Sequence, residues 1–374
     1  MDDAKNEPRA QPLSTPSACE GTADDPLDAG ATASTLSRRQ AVGALLSGIA
    51  AAGVATSISA NASAAPADAK TPAAAATPPP PIAKQDPRTQ YPKPPFAPQQ
   101  QPWPGLASKM NPRPDHGEKS YRGSGRLAGR KALLTGGDSG LGRAAAIAFA
   151  REGADVCINY LPAEESDAQE VIALIKAEGR KALAIPGDIR DEGFCKKLVG
   201  DAVAGLGGLD ILVNNAARQQ ARQSILELSS EDLDATFKTN VYAMYWITKA
   251  AVPHLPPGAA IINTASEQAY DPSEHLLDYA PTKAAIVAFT KALAKQLLPR
   301  GIRVNAIAPG PFWTPLQPSG GQPPKKLPQF GADSPMGRPG QPAEIAPSFV
   351  LLASQESSYA TGQVYGVNGG KGVP

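Results

Sequence analysis

Several residue types are scarce in this chain of 374 residues, and each scarcity excludes a class of protein. The three cysteines, Cys19, Cys157 and Cys195, form no CxxC pair and are too few for a disulfide framework. The three histidines are scattered, so no cluster suggests a metal site. The net charge is only +1, and no basic cluster is interleaved with aromatic residues. We therefore expect neither a metalloprotein nor a nucleic-acid-binding protein.

The N-terminal region has the pattern of an export signal. Arg38 and Arg39 precede a weakly apolar segment from Ala41 to Ala60, and small residues follow up to Ala64. This pattern is typical of a twin-arginine signal cleaved near Ala64, so residues 1–64 are interpreted as a signal region and the protein as exported or periplasmic. An N-terminal helix packed on a cytoplasmic protein and an uncleaved anchor are the alternatives. The many Ala, Gly and Ser residues favour no stable membrane span.

Proline is concentrated in the next region. Of the 39 prolines, 15 fall between Pro66 and Pro114, in a segment also rich in Ala and Gln. Such a composition buries too little apolar surface to offset the entropy of ordering. We predict that residues 65–120 form an extended or disordered linker and that a catalytic domain spans 121–374. Alternatively, this arm lies along the domain or a neighbouring subunit, with Tyr91 and Trp103 as anchors.

From Gly129 onward, short aliphatic or β-branched runs alternate with longer helical patterns. This alternation predicts an α/β protein with a single Rossmann-type, doubly wound, seven-stranded parallel sheet and helices on both faces. The ligand of such a sheet lies outside the carboxyl ends of its strands. The predicted strands lie at 131–137, 154–160, 181–189, 209–217, 259–266, 302–310 and 362–370, and the helices at 142–153, 166–179, 192–207, 236–255, 284–299 and 343–354.

A glycine-rich turn, TGGDSGLG at 135–142, follows the first predicted strand. Glycines at these positions allow a tight turn and let a pyrophosphate approach the backbone at a helix N-terminus. The second strand ends in Asn159-Tyr160-Leu161, without the carboxylate that holds the ribose of NAD. With Arg143 in the first helical turn, this favours NADP(H) over NAD(H), although Arg143 could also be an ordinary surface residue. Asp188 is placed to accept a hydrogen bond from the adenine amine, or alternatively to cap a turn.

Tyr279 and Lys283 stand four residues apart at the head of an apolar helical run. The spacing places both side chains on one helix face. Pro281 lies between them and is compatible with a helix that starts just before Tyr279, because a first-turn N–H has no helical carbonyl to serve.

Taken together, the motifs TGGDSGLG, NNAA (214–217), Asn240, Ser266, Tyr279-x-x-x-Lys283 and Pro309-Gly310 resemble the short-chain dehydrogenase/reductase family over about residues 127–370. The chain is especially similar to an N-terminally extended, glucose/ribitol-dehydrogenase-like branch that includes NADP-dependent aldehyde reductases. The resemblance implies an NAD(P)-dependent oxidoreductase. It implies catalytic roles for Tyr279, Lys283, Ser266 and Asn240, and cofactor binding by Gly136, Asp138, Ser139, Gly140, Leu141, Gly142, Asn159, Tyr160, Asp188, Ile189, Asn214, Ala216, Tyr279, Lys283, Pro309 and Gly310. Ala217 departs from the family, which usually has glycine there.

The implied roles follow ordinary acid–base chemistry. An ammonium at Lys283 and the positive oxidised nicotinamide would stabilise the phenolate of Tyr279, whose ordinary pKa is about 10. Tyr279 would then exchange a proton with the oxygen of a carbonyl or alcohol substrate, while Ser266 donates a hydrogen bond to that oxygen. Lys283 would also bind the nicotinamide ribose, and Asn240 would hold a water that links Lys283 to solvent.

The long Pro/Gly-rich segment at 311–340 predicts a substrate lid hinged near Gly310 and Gly337. Candidate pocket residues are Glu267, Gln268, Phe312 and Trp313. They do not discriminate between an aldehyde or ketone, a sugar and a polyol. The resemblance suggests a homotetramer built on the helices at 236–255 and 284–299. A non-catalytic nucleotide-binding redox sensor is the remote alternative, and so is an anchored envelope protein that acts through its arm.

Overall fold

A computed structural model describes residues 84–372, and the predicted signal region lies outside these residues. Seven parallel strands form one sheet in the order β3-β2-β1-β4-β5-β6-β7. The order reverses between β1 and β4, which is the crevice where such sheets bind ligands. The strands are β1 Lys131–Thr135, β2 Asp155–Tyr160, β3 Ala182–Pro186, β4 Ile211–Asn214, β5 Ala260–Thr264, β6 Arg303–Pro309 and β7 Val364–Val367.

Seven α-helices accompany the sheet in the described part of the chain. They are α1 Gly140–Arg151, α2 Glu165–Ala177, α3 Glu192–Leu206, α4 Ser230–Phe237, α5 Ala243–Ala251, α6 Tyr279–Leu297 and α7 Pro342–Ala353. Side chains of α1, α2 and α7 pack on one face of the sheet, and those of α3, α5 and the end of α6 pack on the other. The prediction of a seven-stranded Rossmann-type sheet covered on both faces is confirmed. In residues 84–372, no helix combines the length and the apolar character needed to cross a bilayer.

The helix expected at 236–255 is not uniform. The helical backbone begins earlier, at Ser230, and widens into a π-helical segment at Lys238–Tyr242 before α5. Hydrogen-bond spacing in an α-helix is not encoded by hydrophobic periodicity alone, so the sequence pattern did not reveal this segment. Pro281 lies in the first turn of α6, where the sequence analysis allowed it.

The arm is extended, but from residue 84 onward it is packed against the domain rather than being a free linker. Phe96 stacks on Trp313 with ring centroids 4.2 Å apart, and Met110 joins the same buried cluster. Residues 84–120 also belong to the same compact unit as the sheet. Residues 84–120 therefore fit the alternative stated above, in which the arm lies along the domain, because apolar side chains spaced along it are buried against residues 311–340, the segment predicted to be a lid.

Of the two anchors proposed for the arm, Tyr91 holds it to the domain. Its ring lies 5.3 Å from the guanidinium carbon of Arg338 in the domain, and its hydroxyl donates to Asp115, further along the arm, at 2.9 Å. That guanidinium also donates to the Pro87 carbonyl at 2.6 Å. Trp103 instead lines a cavity.

Candidate active site

One cavity of about 750 Å³ lies at the carboxyl ends of the strands. Its wall contains the glycine turn, the ends of β2, β4, β5 and β6, the start of α6, part of the lid, and residues 103–105 of the arm. The predicted site residues in its wall are Gly136, Asp138, Ser139, Gly140, Leu141, Asn159, Tyr160, Asp188, Ile189, Ala216, Ser266, Tyr279, Lys283, Pro309 and Gly310. The topology therefore places most of the predicted site residues around one cavity, although they are spread over about 175 positions of the chain.

The glycine turn is shaped as a phosphate cradle requires. Gly136 and Gly140 have φ values of +62° and +51°, which favour glycine. A Cβ at Gly142 would collide with the Gly136 carbonyl oxygen, so Gly142 allows the turn to close and does not line the cavity. Helix α1 begins at Gly140, and the N–H groups of its first turn can donate hydrogen bonds to an anion. The chain thus has the backbone that a dinucleotide needs.

Tyr279 and Lys283 are both buried, at 6% and 1% exposure. The Lys283 ammonium donates to the Thr264 carbonyl at 2.8 Å and lies 5.2 Å from the centroid of the Tyr279 ring. Ser266 follows the end of β5, and its hydroxyl oxygen accepts from the Gln268 N–H at 3.2 Å. That bond uses an acceptor site and leaves the Ser266 proton to donate, in the protein alone toward the Tyr279 hydroxyl. The three side chains are positioned by β5 and the first turns of α6.

Burial dominates the electrostatics of this pair. It lowers the pKa of Lys283 to about 7. It also raises the pKa of Tyr279 above its ordinary value, while the Ser266 hydroxyl acts in the opposite direction. The decrease in the Tyr279 pKa that the sequence analysis expected is therefore absent in the protein without its cofactor. The positive charge of an oxidised nicotinamide, the second stabilising group in the sequence argument, would have to supply it.

Asn240 sits in the π-helical segment, and its side chain is fully engaged. Its amide nitrogen donates to the Arg218 carbonyl at 2.9 Å and to the Thr282 hydroxyl at 3.0 Å. Its oxygen accepts from the Arg218 N–H at 2.7 Å. Asn240 lines not the main cavity but a small one of about 10 Å³, which has room for about one water. The side chain thus ties α6 to the segment after β4.

Asn214 also lines only this small cavity. Its amide donates to Thr248 at 3.1 Å and to Asn263 at 2.9 Å, whereas its oxygen is buried without a partner. In the main cavity the NNAA motif is represented instead by Asn215, Ala216 and Ala217. The assignment of Asn214 to the cofactor site is one position off, since alternate residues of a strand end face opposite ways.

Arg143 does not face the cavity. It is 1% exposed, and its guanidinium pairs with Glu170 at 2.9 Å and with Glu118 of the arm at 3.1 Å. The hypothesis that Arg143 meets a 2′-phosphate is therefore wrong. Its alternative, an ordinary surface residue, is wrong as well, because the arm covers this face of α1. Arg143 links α1, α2 and the arm.

The cavity next to the end of β2 is acidic. Asp138 is 1% exposed with one carboxylate oxygen unpartnered, and Glu164 is half-buried close by. Burial raises the pKa of Asp138 to about 7 and that of Glu164 to about 8. The charge of Asp167 adds to the rise at Asp138, and the charges of Asp138 and Asp167 add to the rise at Glu164. The sequence analysis missed Glu164. Glu164 lies four residues after Tyr160, where β2 ends and where residues that bind the cofactor ribose are expected. This position could have identified it as a candidate cavity residue.

Two other residues predicted to bind the cofactor at this end, Asn159 and Asp188, already form hydrogen bonds within the protein. The Asn159 amide donates to the Ile185 carbonyl at 3.1 Å and to the Gly187 carbonyl at 3.2 Å. The Asp188 carboxylate accepts from the Arg190 N–H at 2.9 Å and from its guanidinium at 2.8 Å, which lowers the pKa of Asp188. Asp188 therefore caps its turn while lining the cavity.

At the opposite end, Glu267, Gln268 and Phe312 line the cavity as candidate substrate residues. Trp313 does not, because it is fully buried and its indole N–H donates to the Pro112 carbonyl at 2.8 Å. Lys371, which follows β7, was missed. Its ammonium lies 3.6 Å from the Glu267 carboxylate and 3.0 Å from Asp333 of the lid. Burial raises the pKa of Glu267.

Comparison with known proteins agrees with this geometry. A short-chain dehydrogenase model described as enoyl-(acyl carrier protein) reductase matches residues 136–371. The uncharacterized oxidoreductase YghA of Escherichia coli K12 is 59% identical over 287 residues, covering 77% of this chain and 98% of its own. The chain belongs to the short-chain dehydrogenase/reductase family. It is an oxidoreductase with a dinucleotide-binding Rossmann fold.

Two relatives carry more specific names. The glucose and ribitol dehydrogenase homolog of Oryza sativa subsp. japonica is 45% identical over 291 residues, covering 74% of this chain and 97% of its own. The chloroplastic NADPH-dependent aldehyde reductase 1 of Arabidopsis thaliana is 45% identical over 273 residues, covering 71% and 94%.

Solved structures show the same fold. A short-chain dehydrogenase from Burkholderia cenocepacia J2315, in complex with NADP, has a TM-score of 0.62 and 36% identity, covering 66% of this chain and 98% of its own. A 3-ketoacyl-(acyl-carrier-protein) reductase from Brucella melitensis, complexed with NADH, has a TM-score of 0.59 and 33% identity, covering 66% and 100%.

Proposed function

We propose that this protein reduces an aldehyde or ketone with NADPH. The single observation that carries the proposal is the meeting of Ser266, Tyr279 and Lys283 in one buried cavity with the glycine turn. Bound NADPH would supply the hydride. The side chains of the protein carry out the remaining steps: Ser266 donates a hydrogen bond to the carbonyl oxygen, and Tyr279 donates a proton to that oxygen as negative charge develops.

Lys283 stabilises the phenolate that remains. Its ammonium is already fixed by Thr264, so little reorganisation is needed when the proton leaves Tyr279. The buried setting strengthens this interaction, because charges interact more strongly where water is excluded. Gly136, Ser139 and Gly140 would hold the pyrophosphate, and Lys283 the nicotinamide ribose.

The preference for NADPH is supported by two features. The end of β2 carries Asn159, with no carboxylate at that position, and similar proteins include an NADPH-dependent aldehyde reductase and a complex with NADP. Arg143 does not support this preference, because its guanidinium forms ion pairs with Glu118 and Glu170.

The proposal is tested with a panel of aldehydes, ketones, sugars and polyols, followed by nicotinamide absorbance with NADPH and NADH. The Tyr279→Phe variant should lose activity by about 10²-fold to 10⁴-fold, the usual contribution of general acid catalysis. Turnover by that variant at the parent rate would refute the assignment. A clear preference for NADH would refute the cofactor proposal alone.

A second candidate is the NAD(P)-dependent oxidation of a sugar or polyol. Its specific support is the polar substrate end, where Glu267, Gln268 and Lys371 offer partners for several hydroxyl groups. A relative named for glucose and ribitol dehydrogenase points the same way. Saturable oxidation of a polyol, with little reduction of unsubstituted aldehydes, would favour this candidate.

Two further proposals concern the whole protein. We propose a homotetramer in which α5 and α6 pack across an interface, because Tyr245 is 50% exposed on top of Phe289, with ring centroids 4.3 Å apart. Light scattering of the purified protein tests this.

We also propose export through the twin-arginine route. The mass of the mature N-terminus, measured after expression with and without that pathway, would test this proposal.

A further inference from the structure

A small closed loop, residues 101–106, forms part of the arm. The Gln101 side chain closes it: its amide donates to the Leu106 carbonyl at 3.0 Å, and its oxygen accepts from the Leu106 N–H at 2.8 Å. Trp103 and Pro104 lie between the two closing residues. The loop is therefore held in shape by its own hydrogen bonds, and Trp103 does not depend on a distant contact for its position.

The loop is fixed on two sides. On the lid side, the Gln101 N–H donates to the Pro318 carbonyl at 3.0 Å, and a Cβ at Gly105 would lie only 2.9 Å from the Pro315 carbonyl oxygen. On the other side, the Ala107 N–H donates to Asp167 at 2.6 Å. Asp167 is fully buried in the first turn of α2. The loop thus spans from the lid to α2.

The N-terminus of α1 lies between these two attachments. A Cβ at Gly140 would be 3.3 Å from the Thr314 methyl group of the lid, and Asp138 is close enough to Asp167 for their charges to interact. Trp103, Pro104 and Gly105 line the same cavity as Ser139 and Gly140. The loop therefore forms part of the wall of the cavity in which the helix N-terminus would receive the pyrophosphate.

We propose that residues 101–106 are a strap across the bound dinucleotide, with Trp103 in contact with the cofactor, and that the strap slows cofactor release. This inference rests on the proposed function only in that a dinucleotide occupies the cavity. Such a strap acts on residence time, because a loop attached at Pro318 and Asp167 must move aside, against these hydrogen bonds, before the cofactor can leave. An aromatic contact of this kind contributes about 1.4 kcal/mol, which corresponds to about tenfold in a dissociation rate.

The test measures release instead of turnover. The full chain is loaded with NADPH, excess NADP⁺ is added in a stopped-flow instrument, and the loss of bound NADPH fluorescence gives the dissociation rate. The parent is compared with Trp103→Ala, with Trp103→Phe, and with Gly105→Val, whose larger side chain would push the loop from Pro315. Arg88→Ala is the matched control, since Arg88 lies on the same arm and pairs with Asp86 in an exposed position.

We expect release to be about tenfold faster in Trp103→Ala and Gly105→Val, within about threefold of the parent in Trp103→Phe, and unchanged in Arg88→Ala. Parent-like release from both Trp103→Ala and Gly105→Val, with NADPH still bound, would overturn the strap and leave the proposed function standing. Tight binding of NADH in place of NADPH, with the same dependence on Trp103, would support the strap and overturn the NADPH preference. Failure to bind either dinucleotide would overturn both.

Discussion

Asp138 offers a sharp test of the electrostatics of the cavity. Its carboxylate is 1% exposed at the glycine turn, and burial raises its pKa from 3.8 to about 7. The folded protein therefore binds a proton at Asp138 between these values, whereas the unfolded chain does not. Because the folded state binds more protons there, stability must fall as the pH rises from about 4 to about 7.

The size of this effect has an upper bound. The gap between 3.8 and about 7 corresponds to about 4 kcal/mol, since one pKa unit is worth about 1.4 kcal/mol. Glu164 interacts with Asp138 and its pKa is raised to about 8, so the two groups share the linkage. We expect Asp138→Asn to gain about 2 kcal/mol relative to the parent at pH 8, and to differ little from it at pH 4.

Urea unfolding without any dinucleotide measures this directly, with transitions recorded from pH 4 to pH 8.5. Asp271→Asn is the matched control, because Asp271 lines the same cavity but is exposed. The parent and the control should lose stability in parallel as the pH rises, and Asp138→Asn should follow a flatter curve. Equal slopes for the parent and Asp138→Asn would show that the carboxylate is not buried as described.

Two other substitutions test the catalytic pair and the arm. Lys283→Met should lower kcat by about 10²-fold or more, because the Tyr279 phenolate loses its fixed cation in a buried setting; steady-state assays measure this, and a drop below threefold would contradict the role of Lys283. Phe96→Ala should reduce the free energy of unfolding by about 3 kcal/mol, because Phe96 is 6% exposed and stacks on Trp313; a urea melt that moves by less than 1 kcal/mol would show that the arm adds little stability.

The sheet was predictable because its determinants are local. Each strand is a short run of aliphatic or β-branched residues, and each of the first six is followed by a helical pattern long enough to cross back over the sheet. Rossmann-type topology then gathers the strand ends. The glycine turn was predictable for the same reason, since positive φ at Gly136 and Gly140 is a local requirement. The assignment of Ser266 and Tyr279 to one site came from the resemblance to the short-chain dehydrogenase/reductase family.

The packing of the arm was foreseen only as an alternative, and the partners of Arg143 were not predictable, because in both cases the contacting residues are distant in the chain. A high proline content indicates that a segment has little tendency to fold by itself. It does not indicate that Phe96 will stack on Trp313, which lies more than 200 residues later in the chain. Similarly, a residue in the first turn of a helix can face the ligand or a neighbouring element. Arg143 is held by Glu118 and Glu170, and neither stands at a helical spacing from it that would mark the pair.

The acidic corner of the cavity, formed by Asp138 and Glu164 near the end of β2, also affects how the protein selects its cofactor. In residues 84–372, the lysines in the cavity wall are Lys283, Lys325, Lys326 and Lys371, and the wall contains no arginine. None of these lysines belongs to the glycine turn or to the end of β2, where Asp138 and Glu164 lie. A 2′-phosphate brought to that corner would raise the pKa of both carboxylates further, so NADPH binding should take up protons. The affinity for NADPH should therefore decline as the pH rises from 6 to 9, whereas that for NADH should change less. Isothermal titration of both dinucleotides across this range measures the difference. If the ratio of the two dissociation constants stayed constant, the 2′-position would have to lie away from Asp138 and Glu164.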